Sequence, residues 1–176
     1  MEVIPSNTTK RLKLRALEPE DLAWLMELEN DPSHWIVGDR QLPLSRAAFR
    51  IYIENASETL EQAGQFRWVI EQANDHTPVG LLDLYAFSER HQRASVGILI
   101  QPKHRGVGYA KEALNWLVNY ASNVGHLHQL HAEIDAENET SIELFQNCGF
   151  TKSGVLKDWL RRGSSFVDVW QMQRVL

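Results

Sequence analysis

The stretch Ile98-Leu99-Ile100-Gln101-Pro102-Lys103-His104-Arg105-Gly106-Val107-Gly108-Tyr109-Ala110 joins an apolar run, a short basic turn and the start of a helical pattern that continues from Lys111 to Tyr120. The apolar run reads as a strand. Gly106 and Gly108 let the backbone bend tightly and bring several N–H groups close to an anion, and the first turn of the following helix adds its unpaired amides and the positive end of its dipole. Such a turn is a pyrophosphate cradle. Its spacing excludes two nucleotide folds: a P-loop needs Gly-x-x-x-x-Gly-Lys-Ser/Thr and a dinucleotide fold needs Gly-x-Gly-x-x-Gly, and residues 106–112 satisfy neither.

What the turn does satisfy is Arg-x-x-Gly-x-Ala, with Arg105, Gly108 and Ala110 at the fixed places. This resembles the acetyl-coenzyme A signature of the GNAT acetyltransferases. The flanks strengthen the resemblance. Ile100-x-Pro102 matches the strand end that precedes the signature, and Ala110, Ala113, Leu114, Leu117 and Ala121 recur at helical spacing behind it. Further on, the run from Asn138-Glu139-Thr140-Ser141 to Gly149-Phe150 resembles the family's second coenzyme A segment, Asn-x-x-Ser/Ala, a short helix and Gly-Phe. The run from Gly149 to Asp168, with Lys157-Asp158-Trp159 and Phe166-Val167-Asp168-Val169, resembles the branch that holds ribosomal-protein N-terminal and spermidine acetyltransferases.

Composition agrees with an enzyme of one domain, expected to span residues 1–176. A chain of this length buries roughly 70% of its unfolded surface. No apolar run approaches the roughly 18 residues of a membrane span, and the first residues lack the charged start and apolar core of a secretory signal, so a cytoplasmic protein without membrane partners is expected. The single cysteine, Cys148, excludes an internal disulfide and fits a reducing compartment; its place before Gly149 suggests helix-end packing. Net charge is −5 with scattered Lys and Arg, which disfavours nucleic acid and is compatible with a cationic amine.

Along the chain, residues 11–17 alternate as a strand, and Pro19 opens a first helix with Leu22, Leu25 and Met26. Ser45 is placed to cap a second helix through about residue 61, with Ala48, Ile51 and Tyr52 inward. Residues 31–43 between them read as a loop. Strands are expected at 66–71, 79–87, 95–100, 127–134, 151–157 and 165–173, with a short helix at 139–147. The result is an α/β (α+β) fold: a mixed, mostly antiparallel sheet of six or seven strands with helices on both faces. The family resemblance implies the same layout with the central strands splayed to admit the cofactor.

That resemblance also implies roles. The backbone of Ile98 and Ile100 pairs with the pantetheine arm, the Ile98 N–H polarises the thioester carbonyl, Arg105, Gly106, Val107, Gly108, Tyr109 and Ala110 hold the pyrophosphate, and Asn138 touches the arm from the other side. Neither a metal nor a covalent intermediate is required. The acceptor is a small amine, a polyamine or a peptide N-terminus, and a homo-oligomer is possible. In several relatives a tyrosine in the second segment serves as the acid, at the place of Phe145, which has no proton to give; Ser141 is the nearest replacement, with water the alternative. For the base, Glu133 stands where certain N-terminal acetyltransferases carry a glutamate, with Asp83 and Asp158 as further candidates, while the glutamate that many relatives carry near Ala94-Ser95 is missing.

Each of these residues has a plainer role beside it. Asn138 caps a helix and Ser141 packs in it; alternation puts Gln129, His131, Glu133 and Asp135 on one polar strand face. His126, His128 and His131 look like a metal cluster, but strand periodicity turns His131 away from the other two. Most of the six tryptophans read as core, with Trp35 and Trp159 placed to wall an acceptor pocket. Phe145 and the missing glutamate also keep open a second class, an acetyl-coenzyme A-binding sensor with little turnover. The enzyme is favoured because a positioned thioester reacts by proximity even when water carries the protons.

Overall fold

The computed structural model describes residues 6–32 and 42–176. Seven strands, β1 (Leu12–Arg15), β2 (Phe66–Gln72), β3 (Pro78–Ser88), β4 (Arg93–Ile100), β5 (Gln129–Asp135), β6 (Thr151–Arg162) and β7 (Ser165–Val175), form one sheet in the order β1-β2-β3-β4-β5-β7-β6. Every neighbouring pair is antiparallel except β4 and β5. The described residues include the helices α1 (Leu22–Glu29), α2 (Arg46–Glu54), α3 (Leu60–Ala63), α4 (Tyr109–Asn123) and α5 (Glu139–Asn147).

Strand alternation divides the apolar residues between two faces. Leu12, Leu14, Ile70, Leu82, Leu84, Ala94 and Val96 meet Ala113, Leu114, Leu117 and Ala121 of α4 and Phe145 of α5 in the larger core. Val69 and Leu81 turn the other way, against Leu25 and Leu28 of α1 and Phe49 and Ile53 of α2. β2 and β3 therefore serve two cores, one on each face of the sheet.

The second helix differs from the sequence expectation. Ser45 caps it, its hydroxyl accepting from the Ala48 N–H, but the helix ends at Glu54, a 3-10 turn covers Asn55–Ser57, and Thr59 starts a separate short helix with a capping box to Gln62. Asn and Ser favour local turns over helix interiors, which explains the break. The inward residues are Phe49 and Ile53, four apart, while Ile51 is 59% exposed. A residue two positions from Phe49 lies about 200° around the helix, so Ile51 faces solvent.

Only the start of β4 pairs with β5: Arg93, Ala94 and Ser95 lie opposite Gln129, Leu130 and His131. Beyond that point β4 stays with β3 as far as Ile100 and β5 stays with β7 as far as Asp135, so the two limbs diverge. The sheet has a fork at its centre, as the resemblance implied.

A charged network locks the first strand in place. Glu71 on β2 is 2% exposed. It accepts from Arg15 at 2.5 Å and lies 2.9 Å from His76 Nδ1 and 3.5 Å from Lys13, while Arg15 also grips Asp21 at 2.7 and 2.9 Å. Burial pushes the Glu71 carboxyl up, but the His76 and Arg15 hydrogen bonds outweigh it and hold it below the ordinary value of 4.5. As pH falls through that value the unfolded chain takes up this proton first, so the stabilisation, fully present above it, is lost toward the lower folded-state value. Urea unfolding from about pH 6 to 3 should show this loss, and Glu71→Gln should lower stability by about 1.5–3 kcal/mol at neutral pH and flatten the acid limb.

Candidate active site

The turn after β4 has the backbone of an anion cradle. Pro102–His104 form a 3-10 turn, and Gly106 and Gly108 adopt φ of 79° and 88°, a region L side chains rarely enter. Gly108 is the N-cap of α4 and offers no side chain, so the first amides of the helix keep their N–H groups free for a ligand. Neither glycine has backbone atoms against it; a Cβ on Gly108 would meet only the Arg11 guanidinium, at 3.4 Å. Conformation, not crowding, demands glycine here.

Arg11 braces this turn from β1's approach. Its guanidinium donates to the Val107 carbonyl at 2.9 Å and to Glu112 at 2.7 Å, and lies 4.9 Å from the centre of the Tyr109 ring. Glu112 also accepts from the Arg11 backbone N–H and the Thr9 hydroxyl. Burial raises the Glu112 carboxyl, and these hydrogen bonds overcome that and hold it below its ordinary value. The Tyr109 hydroxyl donates to Gln72 at 3.0 Å, which points its ring toward β2 and leaves its amide at the turn. Arg105 donates through Nε to the Ile100 carbonyl at 2.8 Å. Its side chain therefore closes the strand end, and Ala110 sits half-buried in the first turn against the core.

The fork supplies the second element. The Gln101 N–H donates to the Val79 carbonyl at 2.9 Å, which fixes the phase of the β3–β4 ladder. Polar groups of alternate residues then face opposite edges of β4, so those of Ile98 and Ile100 point away from β3 into the fork. These are the two residues expected to pair with an extended arm. The other limb carries Asn138, which caps α5 by accepting from the Ser141 N–H at 3.1 Å, and Ser141, whose hydroxyl has no hydrogen-bond partner among the described residues. Phe145 is buried and packs edge-on to Phe150, ring centres 5.0 Å apart. The aromatic in this segment is thus core.

Glu133 is exposed on β5, on the sheet face opposite the α4 core. Two residues before it, His131 lies 3.2 Å from the hydroxyl of buried Ser95, at the last paired position before the fork opens. Burial, aided by Arg93, holds the His131 imidazole below its ordinary value of 6.5 against the opposing pull of Glu133. Asp83 on β3 shares that sheet face. Arg67 holds it at 2.6 and 3.0 Å and reaches Glu29 as well. Burial pushes the Asp83 carboxyl up against the pull of Arg67.

Asp158 is not brought to this site. It lies on edge strand β6, beyond β7 and β5, with its N–H bound to Asp168. Trp159 is 56% exposed on the same strand, and Trp35 lies outside the described residues. Cavities of about 180 Å³ beside Tyr52, Phe66 and Arg67 and about 600 Å³ beside Leu17, Leu22 and Ile53 do not reach the turn. Among the described residues no group of three or more His, Cys, Asp or Glu is arranged to hold a metal ion. Local signals located the glycine turn and the second segment. Arg11, His131 and the Arg67 pair escaped because their partners are distant in sequence.

Residues 11–151 match a family model described as an acetyltransferase (GNAT) domain. A spermidine N(1)-acetyltransferase from Vibrio cholerae is 27% identical over 165 residues, covering 92% of this chain and 91% of that protein. The corresponding enzyme of Escherichia coli K12 is 30% identical over 148 residues, covering 82% and 75%. Among solved structures, the Vibrio cholerae spermidine N-acetyltransferase in complex with CoA and spermine aligns with a TM-score of 0.85 at 26% identity over 95% of this chain and 96% of that one. A dodecameric structure of that protein in an intermediate state aligns with a TM-score of 0.80 at 25% identity, over 95% of each chain.

A glycine turn with free helix amides beside a strand with free backbone groups fits coenzyme A, an anion on an extended polar arm. Gly108→Asp puts a carboxylate at the turn, and the variant should keep its fold by circular dichroism while calorimetry shows acetyl-coenzyme A affinity falling at least about 100-fold, the scale of one unpaired charge. Unchanged affinity in the folded variant would remove the 105–110 assignment.

Proposed function

We propose that this chain, which belongs to the GNAT acetyltransferase family, acetylates a primary amine of a polyamine. Acetyl-coenzyme A-dependent transfer to an amine is its activity; the polyamine is our reading. The observation that carries it is the fork beside the glycine turn, in a chain whose similarity to proteins named spermidine acetyltransferase runs over most of its length. A net charge of −5 favours the approach of a polycation.

In this reading the amides of residues 105–110 hold the pyrophosphate, and Asn138 steadies the arm from the β5 limb. The bound thioester supplies an activated acetyl group. The Ile98 N–H is aimed where negative charge develops on the carbonyl oxygen, and a fixed backbone donor there costs no reorganisation. Glu133 takes the proton of the incoming amine, directly or through one water, and Ser141 or water returns a proton to the departing sulfur. The whole chain acts as one domain, since strands from both ends enter the same sheet. We also read it as self-associating, on the precedent of the dodecameric relative.

Turnover of acetyl-coenzyme A with spermidine, spermine and N-terminal peptides tests the acceptor. The expected result is acetylation of the polyamines; acetylation of peptides alone would overturn it. Glu133→Gln should lower the rate roughly 100-fold and alter the acidic limb of the pH profile without weakening the cofactor, whereas Asp158→Asn should leave that limb in place. Ser141→Ala should slow turnover and Phe145→Tyr should retain cofactor binding; an unchanged rate in Ser141→Ala would leave the acid's role to water.

A further inference from the structure

Gly97 stands in the middle of a central strand, yet it is part-open to solvent. It pairs with Asp83 across the β3–β4 ladder, one residue before Ile98, whose N–H faces the fork. A Cβ built on Gly97 meets Asp83 Cβ, Asp83 Oδ2 and Tyr85 Cε1, each at 3.6 Å. Those are ordinary contacts, and the backbone there has no positive φ. Alanine would fit, so neither packing nor conformation explains the glycine.

The row of residues at this level does explain it. On the face turned toward α1 and α2, Arg67 of β2 lies opposite Asp83 of β3, Asp83 lies opposite Gly97 of β4, and past the fork Glu133 follows His131 on the same face of β5. The neighbouring row runs Tyr85, Ser95, His131. A patch of bare backbone therefore lies beside the Ile98 N–H, with Asp83 and Tyr85 on one side and the fork on the other. Arg67 is shared by Asp83 and Glu29, which holds the Asp83 carboxylate on the β3 side of this patch.

We infer that Gly97 is the floor of the acceptor seat: its missing side chain admits the amine nitrogen next to the Ile98 N–H, and Asp83 walls the seat on the β3 side. Gly97 thereby sets specificity for an unbranched primary amine. This rests on the assignment of Ile98 to the thioester carbonyl. A methyl group at this position fills space the nucleophile needs and leaves the 105–110 turn untouched.

The test uses the full chain, with spermidine and its N-methylated analogue as acceptors. Gly97→Ala should fold as wild type, keep its calorimetric affinity for acetyl-coenzyme A, and raise the KM for spermidine about tenfold, the scale of one misplaced methyl group in a pocket. The loss should be larger for the N-methylated amine, and larger again in Gly97→Val. An unchanged amine KM in folded Gly97→Ala overturns the proposal, as does a loss confined to acetyl-coenzyme A affinity. Failure of the underlying assignment has a different signature: wild type would acetylate no primary amine, or Gly108→Asp would bind the cofactor normally.

Discussion

The incomplete pairing of β4 with β5 is the constraint on which the rest of this structure depends. β4 is committed to β3 along its length and β5 to β7, so among the described residues three pairs join the halves of the sheet. Leaving backbone groups unpaired inside a sheet costs about 1–3 kcal/mol for each buried group without a partner. Two things offset that here. The Ile100 carbonyl is satisfied by Arg105 at 2.8 Å, and the fork is open enough for water or an extended ligand to satisfy Ile98. An extended ligand with polar groups along its length completes such a sheet the way an added strand would.

Precision at the mouth of the fork comes from a contact that has no part in the strand ladder. Arg11 and Glu112 connect the approach to β1 with the first turn of α4, and Arg11 also holds the carbonyl of Val107. An exposed ion pair alone contributes little. Here the carboxylate accepts two further hydrogen bonds, from the Thr9 hydroxyl and the Arg11 backbone N–H, so the pair acts as a clamp on a turn that contains two glycines. A cradle formed before its ligand arrives loses less entropy on binding.

The parts of the fold that were legible in the sequence are those with short-range causes. Gly106 and Gly108 followed by helical spacing located the glycine turn and the helix after it, Ser45 marked a cap, and alternation in residues 129–135 placed Glu133 on the polar face. The error at Ile51 has a short-range cause too: with Phe49 and Ile53 both apolar, two helix phases competed, and the observed one buries Phe49 and Ile53, a pair without a polar group. Contacts between distant strands were not legible. Nothing in residues near Arg67 announces Asp83 and Glu29, and nothing near Ser95 announces His131. The significance of Gly97 was hidden for the same reason, since a strand glycine acquires meaning only from what stands across the ladder.

Proton handling at the fork follows from how these distant groups meet. A primary amine arrives protonated near neutral pH, because its pKa is about 10. A wall that is merely negative would stabilise the ammonium and hinder its deprotonation. In the proposed seat the Asp83 carboxylate is tied to Arg67, so that wall is not a bare negative charge. In the proposed reaction the proton acceptor stands across the fork instead: Glu133, open to solvent, two residues beyond the His131 that lies beside Ser95. In that proposal, holding and deprotonating the amine fall to opposite limbs, and the divergence of β4 from β5 keeps the two tasks apart.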